Sequence, residues 1–209
     1  MLTVALPKGR LQKPTLQRFA AAGVVPEEEP GSSRKLIVQS VSGAVRFLVL
    51  KDGDVPLYVE RGAADLGVCG LDQLLETGAD LLTPLDLGFG RCRLCLAAPR
   101  GSRGKDLGST QLGRSLRVAS KYPRLAAAYF SRRGVPVDLV RLSGSVELAA
   151  VAGLADAIVD LVESGRTLEE NGLVVIDELL QVSARLVVNR ASYRLQLEEL
   201  LPLLEKLAP

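Results

Sequence analysis

The run Ala157-Ile158-Val159-Asp160-Leu161-Val162-Glu163-Ser164-Gly165-Arg166-Thr167 decides the fold. AIVDLV is too short for a buried helix and reads as a buried strand. Ser-Gly-x-Thr after it reads as a turn opening a helix. The strand therefore delivers an acidic residue and a glycine loop to its carboxyl end, which is where open α/β sheets bind ligands.

Outward from this stretch the same rhythm repeats. Apolar runs at 2–6, 64–69, 92–97, 116–119, 137–142, 173–176 and 186–188 read as strands, and 36–41 with 45–50 as a hairpin turning at Ser42-Gly43. Helical stretches lie between them, which predicts an α/β protein with mainly parallel sheet. Pro7-Lys8-Gly9-Arg10 is the loop after strand one. The helix behind it has Pro14 in its first turn, Leu16, Phe19 and Ala20 on one face, Gly23 as a left-handed stop and a length of about three turns. Asp54 is placed to cap a short helix with Pro56 in its first turn, and Ser143-Gly144-Ser145 to cap one beginning at Val146 with Glu147 in its first turn. Residues 163–167 read as an exit loop and 168–171 as a helical turn stopped by Gly172. The last helix, 193–207, has leucines at 197, 200, 201 and 204 and a kink expected at Pro202. Residues 99–114 are polar and glycine-rich. Composition shifts toward loop at 88–90, where a crossing between domains is expected.

Histidine is absent from all 209 residues. That removes Ser-His-Asp and Cys-His nucleophile pairs, histidine general bases and zinc sites of the usual nitrogen type. A net charge of +2 and 4% aromatic residues give neither a basic field nor stacking platforms for nucleic acid. Three cysteines cannot all pair, which fits a reducing compartment. MLTVALPKGR has no charged leader before its few apolar residues, and no window approaches a membrane span, so a cytoplasmic protein is expected. Cys92 and Cys95 would point to opposite faces of a strand, and with no second pair they read as buried small apolar residues.

Two features carry chemistry. In the loop 163–167 successive N–H groups, the close approach allowed by Gly165 and the hydroxyls of Ser164 and Thr167 suit a phosphate monoester. The same hydroxyls could simply cap the following turn, and spacing leaves both readings open. Asp160, inside an apolar strand with Asp156 four residues before it, needs a partner for its carboxylate. A sugar diol would supply one, as would a structural cap on a neighbouring loop. Lys8, Arg10, Arg34, Lys35 and Lys51 all fall at strand ends, where a shared polyanion site is conceivable.

The stretch from Glu147 through Gly153, Asp160 and Gly165 to Leu168 resembles the signature of the ATP phosphoribosyltransferases, which open histidine biosynthesis. LPKGRL at 6–11, SRKL at 33–36, DVPLYVERGAADLGVCGLDQLLE at 54–76, ASKYP at 119–123 and VSARLVVNRASYR at 182–194 agree in order along nearly the whole chain. The chain stops soon after the last of these, as the short form of the family does.

The resemblance implies two α/β lobes of the periplasmic-binding-protein type (type II), with the site in the cleft. Lobe I would comprise 1–90 and 176–209, and lobe II 91–175. It implies transfer of the 5-phosphoribosyl group of phosphoribosyl pyrophosphate to N1 of ATP, releasing pyrophosphate, with Mg²⁺ held mainly by substrate phosphates. By the same resemblance Glu163, Ser164, Gly165, Arg166 and Thr167 cradle the 5′-phosphate, and Asp160, with Asp156 and Glu147, holds the ribose hydroxyls. Lys8, Gly9, Arg10, Arg34, Lys51, Gly70 and Asp72 serve ATP and pyrophosphate, and Arg10, Arg34 and Asp160 are the catalytic set. Lys51 departs from the family pattern, where an arginine is common, and loses bidentate recognition. Asp52-Gly53 likewise replaces a pair that usually contains proline. A homodimer assembling with a histidyl-tRNA-synthetase-like regulatory subunit into a hetero-octamer is also implied. The rival function is a non-catalytic small-ligand binding module on the same fold. A nucleotide-dependent kinase would want GxxxxGK[ST], which does not occur.

Overall fold

A computed structural model describes residues 1–31, 34–101 and 115–208. Most of the polar stretch expected at 99–114, and Ser33 of the SRKL run, lie outside the described residues. In chain order the first elements are β1 (Leu2–Pro7), α1 (Gln12–Ala21), β2 (Ile37–Gln39), β3 (Val45–Leu50), α2 (Val55–Glu60), β4 (Leu66–Gly70), α3 (Leu71–Thr77) and β5 (Leu82–Asp86). Next come β6 (Cys92–Pro99), β7 (Leu116–Ser120), α4 (Pro123–Arg132), β8 (Val137–Arg141), α5 (Val146–Val151), β9 (Ala157–Val162), α6 (Arg166–Glu170) and β10 (Leu173–Val182). The chain closes with β11 (Ala184–Val188), α7 (Arg190–Leu195) and α8 (Leu197–Leu207). Among the described residues no helix is long and apolar enough to cross a membrane.

The chain forms two compact units, Met1–Arg91 with Ser183–Pro209, and Cys92–Val182. The return thus falls at Ser183 rather than at 176, because β10 continues through a bulged ladder against β6 until Val182 pairs with Cys92. The first unit carries a six-stranded sheet, β2-β3-β1-β4-β11-β5, and the second a five-stranded sheet, β10-β6-β9-β7-β8. Both sheets are mixed, which corrects the expectation of mainly parallel sheet. β3, β1 and β4 run parallel, as do β9, β7 and β8, while β2, β5, β6, β10 and β11 pair antiparallel. β3 follows β2, and β11 follows β10, with no helix between them.

Each sheet is buried on both faces. In the first unit Leu66 and Val68 of β4 pack with Phe19 of α1, Phe47, Leu186 and Leu200 of α8. Ala5, Val55, Val59, Cys69 and Val187 pack on the opposite face, under α2. Gly67 keeps α2 close, since a Cβ there would lie 2.9 Å from both the Ala5 Cβ and Val55 Cγ1. In the second unit Ile158 and Val162 face the α5 side, and Ala157 and Val159 the α4 side.

Several local expectations change. The buried residues of α1 are Thr15 and Phe19, flanked by Leu11 and Ala22, whereas Ala20 is exposed. Asp54 is in helical conformation after a 3-10 turn (Asp52–Asp54) and makes no cap hydrogen bond. Ser145 stands at φ 47° and likewise caps nothing with its side chain. α3 and β5 were not anticipated; β5 carries Pro84, tolerated because the strand is an edge. The expected C-terminal helix is divided at Gln196 into α7 and α8, Pro202 lies inside α8, and α8 buries Leu200, Leu203, Leu204 and Leu207, leaving Leu197 and Leu201 exposed.

Asn189 holds α7 in place. Its side-chain oxygen accepts the N–H groups of Ala191 and Ser192, both at 2.9 Å, and its amide donates to the carbonyls of Val59 at 2.8 Å and Glu60 at 3.1 Å. Asn189→Ala removes the cap and orphans buried carbonyls, and should cost about 2–3 kcal/mol. Equilibrium urea unfolding checks this.

Candidate active site

In the second unit the sequence builds a polar edge from three strand ends. β7 pairs in parallel register with β8 and with β9, Ser120 facing Arg141 and Val159, so the segments after each strand emerge on one side. They carry Lys121, then residues 142–147, then the loop 163–167. Ser120 Oγ donates to the Val159 carbonyl at 2.6 Å and accepts the Tyr122 N–H at 2.8 Å, fixing the turn beside Lys121. Glu147 lies in the first turn of α5, half-buried, two residues after Ser145. Ser145 is the one non-glycine at positive φ among the described residues. Backbone strain of this kind concentrates at functional loops.

Asp160 shares its strand face with Ile158 and Val162 by the period of two, and is half-buried. One carboxylate oxygen accepts the Leu161 N–H at 2.8 Å. Gly165 at φ 83° turns the chain so abruptly that α6 begins at Arg166, not at 168. Arg166 and Thr167 are therefore helix residues, and the first-turn N–H groups have no acceptor within the helix. Glu163, Ser164, Arg166 and Thr167 are exposed, with Ser164 Oγ accepting the Arg166 N–H at 3.4 Å. The structure thus brings Asp160, Glu147 and 163–167 to one edge.

Asp156 is not among them, which corrects its assignment to the ribose. It precedes β9, and six strand residues place it about 20 Å from the loop at ~3.3 Å per residue. There its carboxylate takes the Arg117 N–H at 3.0 Å and the Arg117 guanidinium at 3.0 and 3.4 Å, while its own N–H donates to the Arg117 carbonyl. This is the structural reading of a carboxylate at a strand end. Lys121, between β7 and the Pro123 helix start, stands at the same edge, a placement that the strand end and Pro123 make legible in the sequence.

In the first unit the parallel strands β3, β1 and β4 likewise end together. Pro7 pairs with Leu50, and the Lys8 N–H donates to the Leu50 carbonyl at 2.7 Å, so Lys8 and Lys51 leave the sheet side by side. Gly9 at φ 85° turns the chain to Arg10. Arg34 precedes β2, whose Ile37 pairs with Leu48, and so belongs to the same edge. Lys8, Arg10, Arg34 and Lys51 are all exposed. Gly70 and Asp72 follow from β4 into α3, and they are buried.

Asp72 is only 3% exposed, and its neighbour Gln73 is 5% exposed. Burial, with the negative charges of Asp72 and Asp52 adding, pushes the Cys69 thiol far up, so it stays neutral. Burial likewise raises the Cys95 thiol. All three cysteines are free and buried, in line with the apolar reading of Cys92 and Cys95.

Two mixed sheets in two units, the first discontinuous in sequence and the second inserted within it, define the two-lobed periplasmic-binding-protein fold. A periplasmic aliphatic sulphonate binding protein, SsuA from Escherichia coli, has this fold at TM-score 0.59 and 14% identity, covering 99% of this chain and 70% of its own. The family model described as "HisG: ATP phosphoribosyltransferase" matches residues 51–209. An ATP phosphoribosyltransferase from Symbiobacterium thermophilum is 49% identical over 208 residues, 99% of this chain and 93% of that protein. One from Acidithiobacillus ferrooxidans is 49% identical over 196 residues, 93% of this chain and 90% of that protein. The solved ATP phosphoribosyl transferase (HisG:HisZ) complex from Thermotoga maritima matches at TM-score 0.85 and 36% identity, covering 99% and 96% of the two chains. The chain belongs to the ATP phosphoribosyltransferase family.

Proposed function

We propose that this chain carries out the family's reaction. The chain transfers the 5-phosphoribosyl group from phosphoribosyl pyrophosphate to N1 of ATP, giving N1-(5-phosphoribosyl)-ATP and pyrophosphate, the opening step of histidine biosynthesis. The observation that carries the assignment is the meeting of Asp160, Glu147 and the Gly165 turn at one sheet edge. There the helix-start N–H groups and the Ser164 and Thr167 hydroxyls hold the 5′-phosphate, Lys121 adds positive charge, and Asp160 and Glu147 accept hydrogen bonds from the ribose hydroxyls. Lys8, Arg10, Arg34 and Lys51 hold the pyrophosphate and ATP phosphates, with Gly70 and Asp72 on the same edge.

The bond from the ribose C1 to the pyrophosphate oxygen breaks as the C1–N1 bond forms. Positive charge builds on the ribose ring, so Asp160 is useful as an anion, and Arg10 and Arg34 offset the charge gathering on the leaving oxygen. Adenine N1 already has a free lone pair at neutral pH. A chain without histidine therefore lacks nothing this step needs.

Mg²⁺ is proposed to arrive on the substrate phosphates. Its ligands there would be phosphate oxygens and water. Bound so, it would neutralise polyphosphate charge. We place the protein in the cytoplasm, in keeping with three free thiols. A homodimer joined by a histidyl-tRNA-synthetase-like regulatory subunit in a hetero-octamer is the proposed assembly, supported by the likeness to the Thermotoga maritima complex.

The test is pyrophosphate release from ATP and phosphoribosyl pyrophosphate, with and without the regulatory subunit. Turnover that requires both substrates is expected. Folded protein that binds either substrate but never turns over would favour the binding-module alternative.

A further inference from the structure

We infer that Gln73 is a positioning residue for Asp72, and that Gly53 and Gly70 are the two gaps that let the pair sit as it does. The inference rests on the reading of Asp72 as an ATP-side group.

Asp72 is a carboxylate taken almost wholly out of water, at the edge where the basic residues of the first unit gather. A buried carboxylate needs donors, and it turns to face them. Gln73 supplies one, its amide donating from Nε2 to Asp72 Oδ2 at 3.1 Å. Adjacent residues in a helix do not normally face each other, so this contact is imposed by the surroundings. Two glycines supply those surroundings. A Cβ on Gly70 would lie 2.0 Å from Asp72 Oδ1, so the carboxylate occupies the space where that side chain would stand. A Cβ on Gly53 would lie 3.2 Å from Gln73 Oε1, so the other end of the amide rests against the segment that follows Lys51.

Gln73 therefore links the Lys51–Gly53 segment to the acid in the first turn of α3. It touches no reacting atom. Its work is to hold Asp72 Oδ2, so that Oδ1 keeps one direction when ATP binds.

The experiment compares Gln73→Met, Asp72→Asn and the double variant, by ATP calorimetry and by pyrophosphate release under conditions in which the wild type turns over. Gln73→Met keeps the length and loses the donor. Its Kd and KM for ATP should rise about tenfold, the effect of removing a hydrogen bond to a charged group. KM for phosphoribosyl pyrophosphate should stay at the wild-type value, and the melting temperature should fall by a few degrees because Asp72 loses a buried donor. Asp72→Asn should weaken ATP binding as well, and the double variant should be no weaker than Asp72→Asn alone, because neighbours that act through one group are not additive. Should Gln73→Met not fold, Gln73→Glu, which replaces the donor by a like charge, carries the same expectation. Wild-type ATP affinity in the folded Gln73 variant, or additive losses in the double variant, would overturn the positioning role. Wild-type ATP affinity in Asp72→Asn would overturn instead the placement of Asp72 at ATP, leaving pyrophosphate release in the wild type to speak for the reaction itself.

Discussion

Asp160→Asn should weaken phosphoribosyl pyrophosphate binding by roughly tenfold to a hundredfold, with the fold unchanged. The amide keeps the shape but exchanges an anionic acceptor for a neutral group with one acceptor and one donor end. Each hydrogen bond to the carboxylate that is lost is worth about 1.5–3 kcal/mol. Gly165→Val should weaken the same ligand by a different route. A Cβ at Gly165 would meet nothing closer than Val162 Cγ1 at 3.9 Å, so space is not the obstacle. The obstacle is φ 83°, which a β-branched residue resists, so the turn would relax and swing the first-turn N–H groups off the phosphate. Asp156→Asn is the control: it should leave affinity within about twofold, because that carboxylate is spent on Arg117, and lower the melting temperature instead. Calorimetry with phosphoribosyl pyrophosphate reads all three. Equal affinities in Asp160→Asn, Gly165→Val and wild type would move the phosphoribosyl site elsewhere.

Gly70→Ala is expected to have the second large effect, on the other substrate. The backbone at Gly70 is extended, with φ −67° and ψ 147°, so alanine is conformationally acceptable there. The methyl group, however, would fall 2.0 Å from Asp72 Oδ1 and 3.1 Å from its Cγ. The short aspartate must rotate away within a buried site, giving up the Gln73 amide and leaving a charge poorly solvated, at a cost of about 1–3 kcal/mol. ATP affinity should fall about tenfold or more, with phosphoribosyl pyrophosphate affinity retained. Retained ATP affinity in the folded variant would show that the carboxylate's direction is immaterial to ATP.

Much of this was legible from spacing. β9 and its exit loop follow from an apolar run ended by Ser-Gly-x-Thr, and residues 8–10 and 51 follow from strand ends. The misread places share a cause, which is that pattern reports local preference whereas the outcome was set by packing or pairing. The stripe of α8 is offset because α8 packs against the core through Leu203 and Leu207 as well as Leu200 and Leu204. The parallel expectation failed at β6, β10 and β11 because nothing in a run such as LVVIDELLQV states its direction. Asp156 and Asp160 look equivalent in sequence; only the polarity of β9 assigns one to each edge of the sheet. Gln73 carried no signal at all, since its role depends on two glycines contributed by other segments.

The pairing of β5 also fixes an order of assembly as the chain is made. Within its sheet β5 is bonded to β11 alone, and residue 86 must wait for residue 185. The intervening unit begins and ends at neighbouring residues, Cys92 beside Val182, so its own ladder can close before the ribosome has delivered β11. The first domain synthesised is thus the last completed, and until its final strand emerges it holds an open seam between β4 and β5. A nascent chain ended after Val182, and tethered to the ribosome by a linker long enough to bring that residue clear of the exit tunnel, should display a folded second unit attached to a first unit that proteases can still enter.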